Sequence, residues 1–221
     1  MIVAVHQPNY MPWAGWFAKA ARAGVLVLLD DAQLPRGRSW ATRTRIAPAD
    51  MPQWLSLPVL RSPANQSIVD ARLVLGPWAR KHAETLRQGY PRSVEVRRIA
   101  EQIGRGATVA DHNTGLIREV LDILGIRTPL VLSSTLRLPA TESPSERLAA
   151  IVAAVGGDTY LSGMGARAYH DPAPFDRQGI GVAWLRPPAD APEHSIAHVL
   201  GTLGVVETRA VIDRFEVTDA G

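Results

Sequence analysis

Cysteine is absent from the 221 residues. That excludes disulfides, thiolate zinc sites, a thiol nucleophile and any thioester carried on this chain. Lysine is almost as scarce: Lys19 and Lys81 stand alone, and arginine supplies the rest of the positive charge. Arginine grips carboxylate and phosphate through a planar fork, so anionic ligands are expected; a GC-rich coding sequence accounts for much of the bias as simply. No apolar run approaches the roughly 18–20 residues of a membrane span. The first residues carry no basic n-region, long apolar h-region or cleavage site, so a cytoplasmic protein with no membrane partner is expected. Gly-x-Gly-x-x-Gly, Gly-x-x-x-x-Gly-Lys-Ser/Thr and Gly-x-Ser-x-Gly are missing too, which removes the dinucleotide fingerprint, the P-loop and the serine elbow.

What remains is ordinary for a globular chain: 46% hydrophobic, 20% charged, net charge +3. Apolar runs alternate with amphipathic stretches, which predicts an α/β fold with a mainly parallel sheet flanked by helices. Strands are expected at Ile2–Val5, Val25–Leu29, Trp54–Val59, Ile68–Leu75, Leu130–Ser134, Thr159–Gly163 and Gly181–Leu185. The strand at Trp54 closes on the turn Ser62-Pro63. Helices are expected at Trp13–Ala23, Trp78–Gln88, Val94–Ile103, Thr108–Leu124, Ser143–Val155 and Ser195–Leu203. Ser143 and Glu146 form a capping box. The segment Ala166–Phe175 reads as irregular, and the tail from Arg209 as partly ordered at best. One domain is expected over 1–221, with a small helical lobe near 77–125.

Chemistry concentrates at two strand ends. The first apolar run breaks into His6-Gln7-Pro8-Asn9-Tyr10 and the second into Asp30-Asp31. In a parallel βαβ unit both breaks emerge at the same sheet edge, where open α/β sheets bind ligands. His6 has the pKa range of a general base, and Asp30 is expected to orient it. A magnesium site at Asp30 is a lesser reading, and Asp31 reads as a turn residue. Arg43 and Arg45 share a strand face, with Trp40 nearby, and suit a phosphate or carboxylate. The basic segment is short, so DNA is not expected as a partner and RNA is a minor reading. Ser133-Ser134 and Ser162 end later strands and offer hydroxyls to an oxyanion or phosphate. Lys19 reads as a solvated helix charge, and Lys81-His82 has no partner identifiable from spacing.

These residues resemble the WbqC-like family. The likeness rests on His6-Gln7-Pro8-Asn9-Tyr10, Pro12-Trp13, Gly15, Phe17, Lys19, Asp30-Asp31-x-Gln33 and Trp40-x-x-Arg43-x-Arg45-Ile46. It continues more weakly through Trp78 with Lys81-His82, Asn113, Ser133-Ser134, Tyr160–Gly163 and the Ser195 helix. Thr42, Thr44 and His198 depart from the family, which usually carries asparagines at the first two positions and an acidic residue near the third. The resemblance implies a place in surface-polysaccharide or specialised-metabolite pathways, often beside amino-sugar enzymes. The expected activity is acyl or aminoacyl transfer forming an amide on an amino sugar or similar amine. The activated donor is a small molecule, or an acyl group borne by a carrier protein or tRNA. His6, Asp30 and Asn9 are the catalytic candidates. Gln7, Tyr10, Trp13, Gln33, Trp40, Arg43, Arg45, Ser133, Ser134 and Ser162 are the substrate-binding ones, with no cofactor and no metal assigned. A nucleotidyltransferase-like enzyme and a non-catalytic pathway subunit are the alternatives. The first is weakened by the missing second histidine of His-x-Gly-His.

Overall fold

A computed structural model describes residues 1–62 and 65–219, so Pro63 of the expected turn and the last two residues of the tail lie outside it. Six strands form one sheet: β1 (Ile2–His6), β2 (Val25–Leu28), β5 (Leu130–Leu132), β6 (Thr159–Gly163), β7 (Gly181–Arg186) and β8 (Glu216–Asp219). Their order is β5-β2-β1-β6-β7-β8, parallel except for β8, which runs antiparallel on the edge. The fold is α/β. With the parallel strands counted in chain order the arrangement is 3-2-1-4-5, that of doubly wound nucleotide-binding sheets. Its order reverses between β1 and β6, where such sheets open a crevice at the carboxyl ends of the strands.

Alternation along β1 assigns its two faces. Val3 and Val5 join Val27, Tyr160, α5 (Pro144–Ala154) and α6 (Ala173–Asp176) in one apolar cluster. Ala4, Leu26, Leu28 and Leu161 join the other. That second core also takes α1 (Ala14–Arg22), α7 (Ile196–Asp213) and α2–α4 (Trp78–Gly89, Val94–Gln102, Val109–Ile123). His6, two residues beyond Ala4, therefore turns toward α1. A separate hairpin, β3 (Arg43–Ile46) against β4 (Gln53–Ser56), lies beyond β2 in the chain.

The helix caps follow sequence chemistry. Ser93, Thr108 and Ser143 each accept a backbone N–H of the first turn. Glu146 accepts from the amide of Glu142 at 2.8 Å, not that of Ser143, so the capping box closes one residue further out.

Two expectations are corrected. Ile68–Leu75 is not a strand: it makes isolated bridges from Ser67 to Gln33, Leu73 to Val59 and Arg72 to Thr108. Ser67 Oγ donates to Asp70 at 2.5 Å and accepts its amide at 3.2 Å, a local turn that competes with any ladder. The tail is ordered through Asp219, because α7 runs past a break at Gly204 (φ 76°) and the chain returns as β8. The expected irregular stretch holds a 3-10 turn (Met164–Tyr169) and then α6.

Helix α7 crosses Tyr90 at Gly201, where an added Cβ would meet the ring at 2.4 Å. Gly201→Ala should therefore destabilise the fold by about 1–3 kcal/mol, although alanine is the better helix former. A urea midpoint shows the direction.

Candidate functional site

The loop from Gln7 to Trp13, at the carboxyl end of β1, is held from four sides. Asn113, fully buried on α4, donates to the carbonyls of Pro8 (2.8 Å) and Ala41 (2.7 Å). Its carbonyl accepts from His112 Nδ1 at 3.1 Å, so the whole amide is used. The amide of Tyr10 donates to Trp40 O at 2.9 Å. Thr44 and Ser195 hydroxyls both donate to Met11 O, at 3.1 and 2.9 Å. Met11 sits at φ 42°, a conformation a side-chain-bearing residue holds only when surrounding bonds impose it. Tyr10, expected as a ligand contact, is buried instead, its hydroxyl 2.9 Å from His82 Nδ1 and its ring against His112. His82 thus has a partner that spacing did not reveal.

His6 ends β1 half-buried. Its Nδ1–H donates to Gln7 O at 3.1 Å, which leaves the Nε2 lone pair free. Trp16 Nε1 donates to the same carbonyl at 3.4 Å, and its ring packs edge-on to the imidazole. Burial, and then the charge of Lys19, push His6 down to about 3, so it is neutral across the physiological range.

Lys19 corrects the sequence reading most sharply. It is no solvated helix charge: it is 7% exposed, and burial lowers it to about 8. Among the described residues it has no hydrogen bond and no ion pair. A Cβ placed on Gly163 would lie 3.9 Å from Nζ, so the ammonium reaches the end of β6. A buried cation with no counter-charge thus sits beside a neutral imidazole at the β1–β6 switch point. A buried cation left unpaired is costly, and an incoming anion removes that cost.

The carboxylates lie on the other side of β1. Asp30 is fully buried and accepts from Ser134 N (2.9 Å), Ser134 Oγ (2.6 Å) and Ser133 Oγ (3.1 Å). Asp31 meets Ser133 Oγ and pairs with Arg147 at 2.5 Å. No hydrogen bond joins Asp30 to His6 among the described residues. The expected orienting role falls to the Gln7 carbonyl, because the 3-10 turn Ser133–Thr135 at the end of β5 captures the aspartate. Both serine hydroxyls are committed there, which also removes the donors expected for a ligand phosphate.

The remaining candidates scatter. Asn9 is 9% exposed with no side-chain hydrogen bond among the described residues, and Gln7 is half-buried. Trp13 packs against Phe215, and Gln33 bonds Asn65 at 3.1 Å on the surface. Ser162 is buried on the Tyr160 face of β6, 3.4 Å from that phenol and away from Lys19. Trp40, Arg43 and Arg45 gather on the β3–β4 hairpin. A groove of about 520 Å³ lies elsewhere, lined by Leu60, Leu73, Leu75 and Trp78, and holds none of these groups. No set of three or more metal-ligating side chains converges among the described residues. No helix among them is long and apolar enough to cross a membrane.

The fold and this edge define a doubly wound α/β protein with an uncompensated cation at its switch point. The WbqC-like protein family model matches residues 7–195, and the chain belongs to that family. It is also 30% identical over 190 residues to the uncharacterized protein Rv1507c of Mycobacterium tuberculosis, covering 83% of this chain and 81% of that one. No solved structure matches it.

Two outcomes follow from burial. His6, His82 and His112 titrate near 3, 4 and 4, each lowered chiefly by burial, against about 6.5 when unfolded. The unfolded chain therefore takes up protons first as pH falls. From these three histidines stability should be flat between about pH 6.5 and 8 and drop by roughly 2–5 kcal/mol toward pH 4, while the lowered Lys19 makes it rise again above about pH 8. His112→Leu should flatten part of that acid limb in urea titrations. Lys19→Met should raise stability by about 1–3 kcal/mol at pH 7, a gain that fades above about pH 8 and is gone once the pH exceeds 10.5, above which the lysine is neutral in both states.

Proposed function

We propose that the protein is a transferase that forms an amide by moving an acyl or aminoacyl group onto an amine. The acceptor class, an amino sugar or similar amine, follows from the family resemblance. The observation that carries the reading is Lys19: a buried ammonium without a counter-ion, beside an imidazole whose free Nε2 is its unprotonated nitrogen.

The amine nitrogen attacks the acyl carbon of an activated donor, with no enzyme-bound thioester because the chain has no cysteine. Negative charge develops on the former carbonyl oxygen, where Lys19 and the unengaged Asn9 amide serve as its partners. The adduct nitrogen loses its proton to His6 Nε2. Burial first, and the Lys19 charge second, make His6 a weak base; an oxyanion at Lys19 offsets the second of these and so raises its basicity as the adduct forms. His6 then returns the proton to the departing group, and amide and leaving group separate. Asp30 acts at a distance, as a positioning residue that ties the end of β2 to β5.

Mass spectrometry of the chain with activated acyl donors and amino sugars tests this directly. Wild type should form the amide, while His6→Ala and Lys19→Met, both folded by circular dichroism, lose about 100-fold or more in kcat. The alkaline limb of kcat/KM near pH 8 should move upward in Lys19→Arg, whose charge persists. If no donor and amine pair reacts, the assignment is lost.

A further inference from the structure

We propose that the outward face of the β3–β4 hairpin is a binding site for a nucleoside diphosphate, with Trp40 and Trp54 receiving the base and Arg43 the phosphates. Strand register places Arg43, Arg45 and Trp54 on one face, since Arg43 pairs with Ser56 and Arg45 with Trp54. Trp40 is 54% exposed and Trp54 45%, large indoles left bare at the surface with their rings 5.6 Å apart. The Arg43 guanidinium lies 4.1 Å from the Trp54 ring and 5.9 Å from that of Trp40.

The decisive feature is that Arg43 has no carboxylate. Its neighbour Arg45 reaches Glu193 at 3.5 Å, Arg147 meets Asp31, and Arg98 meets Glu119 and Asp122. Arg43 has no ion pair among the described residues; its Nε is buried without a partner, as are those of Arg45 and Arg147, so the missing carboxylate is what sets it apart from those two. Stacking occupies the faces of a guanidinium and leaves its edge N–H groups in plane, the geometry that takes a phosphate in a bidentate grip. A neutral sugar would cover the indoles and leave the cation unpaired. Inorganic phosphate would pair the cation and leave the indoles bare. A base joined to a diphosphate meets both demands.

The shelf is also rigid. Thr44 ties β3 to Met11 O, and Trp40 O accepts from Tyr10, so the hairpin is fastened to the loop that follows His6. On the transfer reading this site holds the nucleotide handle of the amine acceptor; the binding itself does not depend on that chemistry.

Calorimetry on the full chain, with no acyl donor present, tests it. UDP and ADP should bind saturably, with pyrophosphate and N-acetylglucosamine each at least about ten-fold weaker. Arg43→Gln and Trp40→Ala should each lose about ten-fold in nucleotide affinity, Arg43→Lys should not restore it, and the exposed Arg87→Gln should match wild type. Absence of nucleotide binding overturns the site, as does pyrophosphate binding as tightly as UDP, or an Arg43→Gln variant that binds normally. Nucleotide binding without amide formation keeps this site and removes the transferase reading. Amide formation on a free amino sugar without nucleotide binding does the reverse.

Discussion

One buried amide organises this molecule's working edge. Asn113 spends both N–H groups on Pro8 and Ala41 and its oxygen on His112. It thereby joins a helix of the α2–α4 group to the loop after β1 and to the chain entering the hairpin. Such a saturated group is costly to disturb, since each partner it releases would be left buried and unpaired. The strained Met11, the buried Tyr10 and the orientation of His6 all depend on that loop staying where it is. Thr44 holds the same loop from β3 through its hydroxyl, which donates to Met11 O.

Charge is distributed unevenly along the sheet edge. The carboxylates on the β2–β5 side are satisfied by hydroxyls, an amide and an arginine. The cations are not: Lys19 on the β1–β6 side and Arg43 on the hairpin both lack a counter-charge. A protein evolving for stability alone would pair or remove the buried Lys19, because unpaired buried charge opposes folding. On the reading proposed above, these two unpaired cations are where an anion would be received.

Much of the fold was legible along the chain. Strands β1, β2, β6 and β7 followed from short apolar runs bounded by turn residues, and the cap at Ser143 from local side-chain chemistry. The failures have physical causes. Ile68–Leu75 alternates like a strand, but ladder formation needs a neighbour, and Ser67 and Asp70 close a turn first. The end of the chain looks weakly patterned because β8 takes its order from pairing with β7.

The sequence by itself determined that His6, Asn9 and Asp30 end up at one edge of an α/β sheet, since period and turn chemistry are local. It determined the family as well, through the block from His6 to Ile46. Only the tertiary structure decided which groups are free to act. Lys19 and a solvated helix lysine look identical in one dimension, because burial and counter-charges come from β6 and its neighbours far along the chain. Asp30 likewise belongs to Ser133 and Ser134, 103 and 104 residues away, rather than to the imidazole at the adjacent strand end. Protonation state and partner choice are set by who is nearby in space, and the linear order of residues does not encode that distance.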